Sequence, residues 1–376
     1  MKFHLFMLPT VGRRHELEQG MAGLRDDLYQ RMLGEIDEQA RFADELGYYG
    51  LGFTEHHFHI EGFELSTNPI MLDTFVAART EKLKVGQLAV VLPAHHPLLV
   101  AEDVAILDQM TKGRAYVGFA RGYQTRWVNT LGQPAGLGAT SSDKSEEDLL
   151  NRASFEEAWE IIKLAWTKDT FSYDGRFWKV PPEGTRWQMP ATQQWGKGVE
   201  ADGTLREIGI VPKPFQKPYP PIYAPFTFSA TTARFWAREG GTPVVLSDDL
   251  EFCQFLFQAY LEEAQGAGRD LKRGQGVAMG ATLCLGETEQ QAQEMREQFD
   301  WLFQSWFVPF GFPPGLVFQG TPEKVTEQIR DLHQALGFEE LFLWLCTGLF
   351  EHEVMMRQLE LFATRVMPHF AGADGQ

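Results

Sequence analysis

Residues 54–59, TEHHFH, pack one carboxylate and three imidazoles beside two other residues. Glu55, His56, His57 and His59 carry the groups of a metal site, a general acid–base pair or hydrogen-bonded loop residues, and their spacing leaves all three open. His56 and His57 are adjacent, so they leave a strand end in different directions. His57 and His59 have a ligand-like spacing, but no His-x-His pair on the first apolar run completes it, and no metal is expected. A second imidazole pair, His95 and His96 in PAHHP, and Arg121 in GFARGYQ follow later apolar runs. A guanidinium offers paired donors for an anion. Ser229, Ala230, Thr231 and Thr232 precede the helical run ARFWAREGG. There hydroxyls and free backbone N–H groups converge where the helix dipole favours negative charge.

The elements that must hold these groups alternate along the chain. Apolar, β-rich runs occur at FHLFML, YYGLGF, LKVGQLAVVL, AYVGFA, PIYA, TPVVL, VAMGATLCL and LFLWLC, most of them followed by a segment of helical period. Strands this uniformly apolar are buried on both faces, which predicts an α/β fold of the (β/α)8 TIM-barrel type, with an open doubly wound sheet as the alternative. The barrel is read as one domain over residues 1–376, with insertions at about 122–152 and 168–220, after strand 4 and before strand 5. Helical stripes are clear in RMLGEIDEQARFADELG and HPLLVAEDVAILDQMTKG. Ser154 and Glu157 have capping-box spacing at the start of SFEEAWEIIKLAW, and Thr321 with Pro322 opens TPEKVTEQIRDLHQALG. In a barrel, TEHHFH, PAHHP and Arg121 follow strands two, three and four, which places them on the C-terminal rim where catalytic groups gather.

Composition narrows the function. A formal net charge of −17 over 376 residues argues against a nucleic-acid partner, which needs a Lys/Arg surplus. The three cysteines, Cys253, Cys284 and Cys346, lie far apart in apolar runs and read as small core residues. MKFHLFMLP lacks the length and cleavage site of a signal peptide, and no stretch reaches the ~20 apolar residues of a membrane helix. A cytoplasmic protein without a membrane partner, assembling as a homodimer, is the expectation. Trp127, Trp187, Trp195, Phe226, Phe228, Trp306, Phe307 and Phe310 fall in or near rim loops. Phe6, Phe226 and Trp306 are the residues expected to line a pocket for an apolar guest.

The order TEHHF, TNP, LKVGQLAVVLPAHHPLLVAEDVAILDQMTKGRAYVGFARG resembles the bacterial luciferase-like family of flavin-dependent monooxygenases, nearly unbroken from Glu55 to Gly122. PIYAPFTFSATTARFWAREGGTPVVLS is similar to that family's phosphate segment, and GTPEKVTEQI to its final barrel helix. The insertions and residues about 290–320 fall outside the resemblance. It implies that His56 is the catalytic histidine beside the flavin ring, flanked by Glu55 and His57. It implies that Arg121 and the segment Ser229, Ala230, Thr231 and Thr232 bind the flavin phosphate, and that Leu88–Ala89 is a cis peptide supporting the isoalloxazine. FMN would arrive reduced from a separate NAD(P)H:flavin reductase and react with O2 through a C4a-peroxyflavin to oxygenate a small organic substrate. Ala120 stands where luciferase has a reactive cysteine, and Ser229-Ala230 replaces a Glu-Ser pair, so light emission is not implied. The same superfamily contains deazaflavin (F420)-dependent dehydrogenases and non-catalytic partner subunits. EHHF and LPAHHP favour the oxygenase, and the joint presence of His56 and Arg121 speaks against a non-catalytic subunit.

Overall fold

The computed structural model describes residues 1–140, 142–312 and 314–371. By its contacts the chain divides into two compact units, one of Met1–Val90, Tyr116–Phe119 and Ile222–Gln376, the other of Val91–Ala115 and Ala120–Pro221.

In the first unit, eight short parallel strands, the fourth through its residues Tyr116–Phe119, pair in chain order and close on themselves. They are β1 (Lys2–Met7), β2 (Gly50–Phe53), β3 (Lys84–Gln87), β4 (Ala115–Ala120), β5 (Ile222–Ala224), β6 (Thr242–Val245), β7 (Ala278–Leu285) and β8 (Glu340–Leu345). β8 returns to β1 in the register Lys2↔Glu340 through Met7↔Leu345, so no barrel strand is left as an edge. A further short strand, Val317–Gly320, pairs in parallel with the C-terminal half of β7, in the register Thr282↔Val317 through Leu285↔Gly320. The eight apolar runs in the sequence are these eight barrel strands.

The longer helices are α1 (Asp26–Leu46), α2 (Pro69–Ala77), α3 (Pro97–Thr111), α4 (Glu146–Thr167), α5 (Ala230–Glu239), α6 (Leu250–Gly266), α7 (Glu289–Leu302), α8 (Pro322–Leu336) and α9 (His352–Leu361). α1 buries Leu28, Met32, Ile36, Ala40 and Ala43 on one stripe and stops at Gly47 in the left-handed region. α8 begins at Pro322 as the sequence predicts, although the Thr321 hydroxyl makes no cap hydrogen bond. α4 departs from expectation. Ser154 is buried inside it, and the cap is Ser145, whose hydroxyl accepts from the Asp148 N–H. The acidic run Glu146, Glu147 and Asp148 occupies the first turn, where the helix dipole stabilises negative charge and lets the cap fall nine residues before Ser154.

In the second unit α3 and α4 are tied by the Trp166 indole N–H, which donates to the Ala101 carbonyl at 2.9 Å. Trp127 lies in a small core with Val91 and Val128. The 168–220 insertion includes an antiparallel pair, Tyr173–Asp174 with Lys179–Val180.

The barrel interior is filled by large aromatics set against glycines. His4 stacks on Phe342 at 4.1 Å, and Tyr116 meets Tyr223 edge to face at 5.2 Å. A Cβ at Gly86 would stand 2.3 Å from the Tyr116 carbonyl oxygen and 2.4 Å from its ring, so β3 can pass Tyr116 only as glycine. Near the strands' N-terminal ends, Glu340 accepts hydrogen bonds from Lys2 at 2.9 Å and the Tyr223 hydroxyl at 2.7 Å, with His4 Nε2 at 3.0 Å. Burial opposes the charge, but His4 and Lys2 outweigh it and hold the Glu340 carboxyl down at about 2.

Glu340→Gln should cost on the order of 3 kcal/mol at pH 7, because it leaves polar groups buried around a lost charge. A carboxyl depressed by folding contributes stability above its unfolded pKa of ~4.3, lost as pH falls toward about 2. Urea unfolding of the wild type should therefore weaken across that window, with a shallower slope in the variant. Parallel slopes would remove Glu340 as the cause.

Candidate functional site

The loop after β2 carries TEHHFH and is folded back on itself. The His56 N–H donates to the Ser66 carbonyl at 2.9 Å, Leu65 N–H to Pro9 at 2.9 Å and Val11 N–H to Gly62 at 3.0 Å. These bonds fix the loop to the segment after β1, on the C-terminal side of the barrel. Phe58 and Glu64 adopt φ values of 65° and 49°. For residues with a Cβ this region is uncommon and costs on the order of 1–3 kcal/mol, a cost met most often where side-chain placement matters.

The turn sorts the loop's charges into two sets. Glu55 turns to His57, with its Oε1 2.9 Å from Nε2. His56 instead places Nδ1 3.0 Å from the Thr54 hydroxyl and Nε2 3.2 Å from Glu64 Oε1. The other Glu64 oxygen accepts from the Trp306 indole N–H at 2.5 Å and lies 3.8 Å from His59 Nδ1. His59 Nδ1 is 3.0 Å from the Phe63 carbonyl, which fixes that nitrogen as a donor. Glu64 is 1% exposed and His56 8%. Burial, and after it the charges of His59 and His57, push the His56 imidazole well below its ordinary pKa. A neutral ring at pH 7 can give or take a proton.

Glu64 is the functional candidate that the sequence reading missed. Its only signal was an acid inside the otherwise apolar GFEL, eight positions after His56. Among the described residues, no group of three or more His, Cys, Asp or Glu side chains is arranged to hold a metal ion.

The Leu88–Ala89 peptide bond, directly after β3, is cis. Leu88 N–H donates to the Phe53 carbonyl at 2.7 Å, and Gln87 donates through Nε2 to Asp73 at 2.5 Å. Burial lifts the Asp73 carboxyl well above the usual range, against that hydrogen bond. A Cβ at Gly118 would lie 2.5 Å from the Gln87 carbonyl oxygen, so β4 approaches this kinked chain only as glycine.

Of the expected pocket residues, Phe6 and Phe226 meet at 5.5 Å, and each packs 5.6 Å from Trp344 of β8. Phe303 and Phe307 complete the box around Trp344, each at 5.3 Å. Trp344 is buried, and its indole N–H has no hydrogen-bond partner among the described residues. Trp306 is not in this box. It stacks on Phe63 at 4.8 Å and closes the histidine loop.

At the start of α5, Ser229 is the N-cap, with its hydroxyl accepting from the Thr232 N–H at 3.3 Å. The first turn carries no acidic side chain, so the orphan N–H groups of Ala230 and Thr231 keep their positive end unopposed. Arg121, in the second unit, donates to Asp148 Oδ1 at 2.8 Å and has its carbonyl held by Asn151 at 3.0 Å. Burial works against the Asp148 charge, but hydrogen bonds from Thr140 and Arg121 hold its carboxyl below the usual range. The three cysteines are free and buried.

With this geometry in place, residues 1–310 match the family model described as luciferase-like monooxygenase. The chain is 27% identical over 234 residues to the alkanal monooxygenase alpha chain of Photorhabdus laumondii subsp. laumondii, covering 61% of this chain and 53% of that one. It therefore spans about half the length of such curated relatives. Over 95% of its length it is 24% identical to the oxygenase component of the flavin-dependent trigonelline monooxygenase of Acinetobacter baylyi, covering 96% of that protein. Its fold superposes with a TM-score of 0.73 at 20% identity on the oxygenating constituent of 3,6-diketocamphane monooxygenase from Pseudomonas putida, solved with FMN, over 98% of both chains.

Nitrogen NMR of 15N-histidine-labelled protein should show His56 still neutral when pH falls below ~6.5, where solvated imidazoles protonate. Because the unfolded chain takes that proton first, His56 should reduce stability as pH drops through this region. Titration of His56 with an ordinary midpoint would contradict its burial.

Proposed function

We propose, on the premise that this chain belongs to the luciferase-like monooxygenase family, that it binds reduced FMN and uses O2 to oxygenate a small apolar substrate. The carrying observation is His56, buried on the C-terminal side of the barrel with the Thr54 hydroxyl 3.0 Å from Nδ1 and a Glu64 carboxylate oxygen 3.2 Å from Nε2. Supporting it are the aromatic box and a helix start suited to a phosphate.

The residues present fit FMN. Ser229, Ala230, Thr231 and Thr232 offer hydroxyls and backbone donors at an N-terminus without carboxylates. Assignment of Arg121 to the phosphate rests on the family resemblance alone, since within its own unit its guanidinium is engaged by Asp148. Leu88 and Ala89 are proposed to support the flavin ring. Reduced FMN, when bound, supplies two electrons to O2, so that one oxygen atom enters the substrate and the other leaves as water. The protein's part is to position, to exclude water and to move a proton at His56. Phe6, Phe226 and Trp344 are proposed to line the substrate pocket, and the unpartnered Trp344 N–H suits an acceptor oxygen on the guest. Trp306 acts through Glu64 rather than on the substrate, and Glu55 pairs separately with His57.

Reduced FMN is proposed to come from a separate NAD(P)H:flavin reductase, a division of labour that the Acinetobacter relative's description as an oxygenase component supports. A homodimer in the cytoplasm completes the reading. Among the described residues, no helix is long and apolar enough to cross a membrane.

The test is to mix the protein with photoreduced FMN in aerated buffer and offer linear aldehydes and cyclic ketones, following product, H2O2 and flavin absorbance. Binding of deazaflavin with no binding of FMN would overturn the reading. His56→Ala should retain FMN affinity, slow oxygenation by ~100-fold or more, and divert O2 to H2O2. Normal turnover in that variant would exclude His56 from the chemistry.

The phosphate assignment has its own check. Thr231→Pro removes a backbone N–H at the start of α5, so it should weaken FMN binding more than Thr231→Ala, as read by fluorescence titration. Equal losses would confine the contact to the side chain.

A further inference from the structure

The function proposed above needs His56 to handle a proton, but leaves open which nitrogen holds it and what decides that. A neutral imidazole has one donor and one acceptor nitrogen, and its neighbours choose between them. Here the neighbours differ in kind. Nδ1 faces the Thr54 hydroxyl, which can donate or accept, at 3.0 Å, and Nε2 faces a carboxylate oxygen of Glu64 at 3.2 Å. An ionised carboxylate only accepts.

We infer that Glu64 is a positioning residue that holds His56 with its single proton on Nε2, leaving Nδ1 as the proton acceptor toward the Thr54 hydroxyl. This rests on His56 being the proton-handling group. Three observations support it independently of the flavin. Glu64 is buried on a left-handed backbone, an unfavourable conformation for a residue with a Cβ. Its second oxygen is held by the Trp306 indole N–H, so the carboxylate has a fixed orientation. Trp306 is itself clamped by Phe63 and His59. The titratable groups facing His56 are Glu64, His59, whose ring centre is 5.8 Å away, and His57. Of these, Glu64 brings a carboxylate oxygen to a ring nitrogen of His56, at 3.2 Å from Nε2.

The arrangement makes His56 a base by default. A proton arriving at Nδ1 through the Thr54 hydroxyl would give an imidazolium whose other N–H already points at Glu64. The same ring bound instead to a neutral amide could hold its proton on either nitrogen. A carboxylate on the far nitrogen thus sets both tautomer and orientation.

The decisive experiment reads the tautomer directly, in protein without flavin, from the ring 15N shifts of 15N-histidine-labelled samples. Wild type should show His56 Nε2 protonated and Nδ1 bare. Glu64→Gln should shift that population toward the Nδ1-protonated form, with Trp306→Phe in between, each checked for folding by circular dichroism. In parallel, the wild type, Glu64→Gln and His56→Ala are loaded with photoreduced FMN, and reoxidation in aerated buffer is followed from pH 5.5 to 8.5. Glu64→Gln should change the rate at least ~10-fold and alter the pH profile, in the direction of His56→Ala. A wild-type His56 protonated on Nδ1, or an unchanged tautomer and rate in Glu64→Gln while His56→Ala is impaired, would overturn the role of Glu64 alone. Wild-type behaviour in His56→Ala would instead overturn the reading on which the role rests, and the role with it.

Discussion

Closure of the parallel barrel is the constraint on which the rest depends. A strand as short as Ile222–Ala224 keeps its backbone hydrogen bonds in place only because parallel neighbours flank it on both sides. Closure also fixes the direction of every strand, so the segments after β1, β2, β3 and β8 all leave on one side. That side receives the histidine loop, the cis peptide and Trp344, none of which is near another in sequence. The interior must be filled to hold this geometry, and it is filled unevenly: His4 and Tyr116 take the volume that Gly50, Gly52 and Gly86 give up.

Burial of polar groups then creates the chemistry. Inside the barrel a charge survives only where partners answer it, as Lys2, His4 and Tyr223 do for Glu340. On α2, Asp73, answered among the described residues by Gln87 alone, is pushed toward its neutral form instead. His56 lies between these cases. It is deprived of water, so the neutral ring is favoured, while Glu64 and Thr54 keep both nitrogens engaged. Its orientation comes from its surroundings, which include Trp306 from far along the chain. That coupling is why a residue outside the recognised motif bears on the motif's central histidine.

What the sequence determined by itself is the order and nature of the elements. Parallel strands buried on both faces must be continuously apolar, so all eight were legible, and so was the placement of TEHHFH, PAHHP and Arg121 at strand ends. Local rules carried less where two signals competed. Ser154 has a capping-box partner, but the acidic turn before it extends the helix to Ser145. Pairings inside the loops were not legible at all. Glu55 and His56 are neighbours in sequence yet serve different partners. Glu64 reaches His56 because two left-handed residues turn the loop, and Trp306 reaches Glu64 across 242 positions. Pattern reports which face of an element is apolar, through fixed periods of two and 3.6 residues. Loops have no such period, so the contacts of a loop carboxylate are decided only when tertiary packing chooses its backbone and leaves it one place to put its charge.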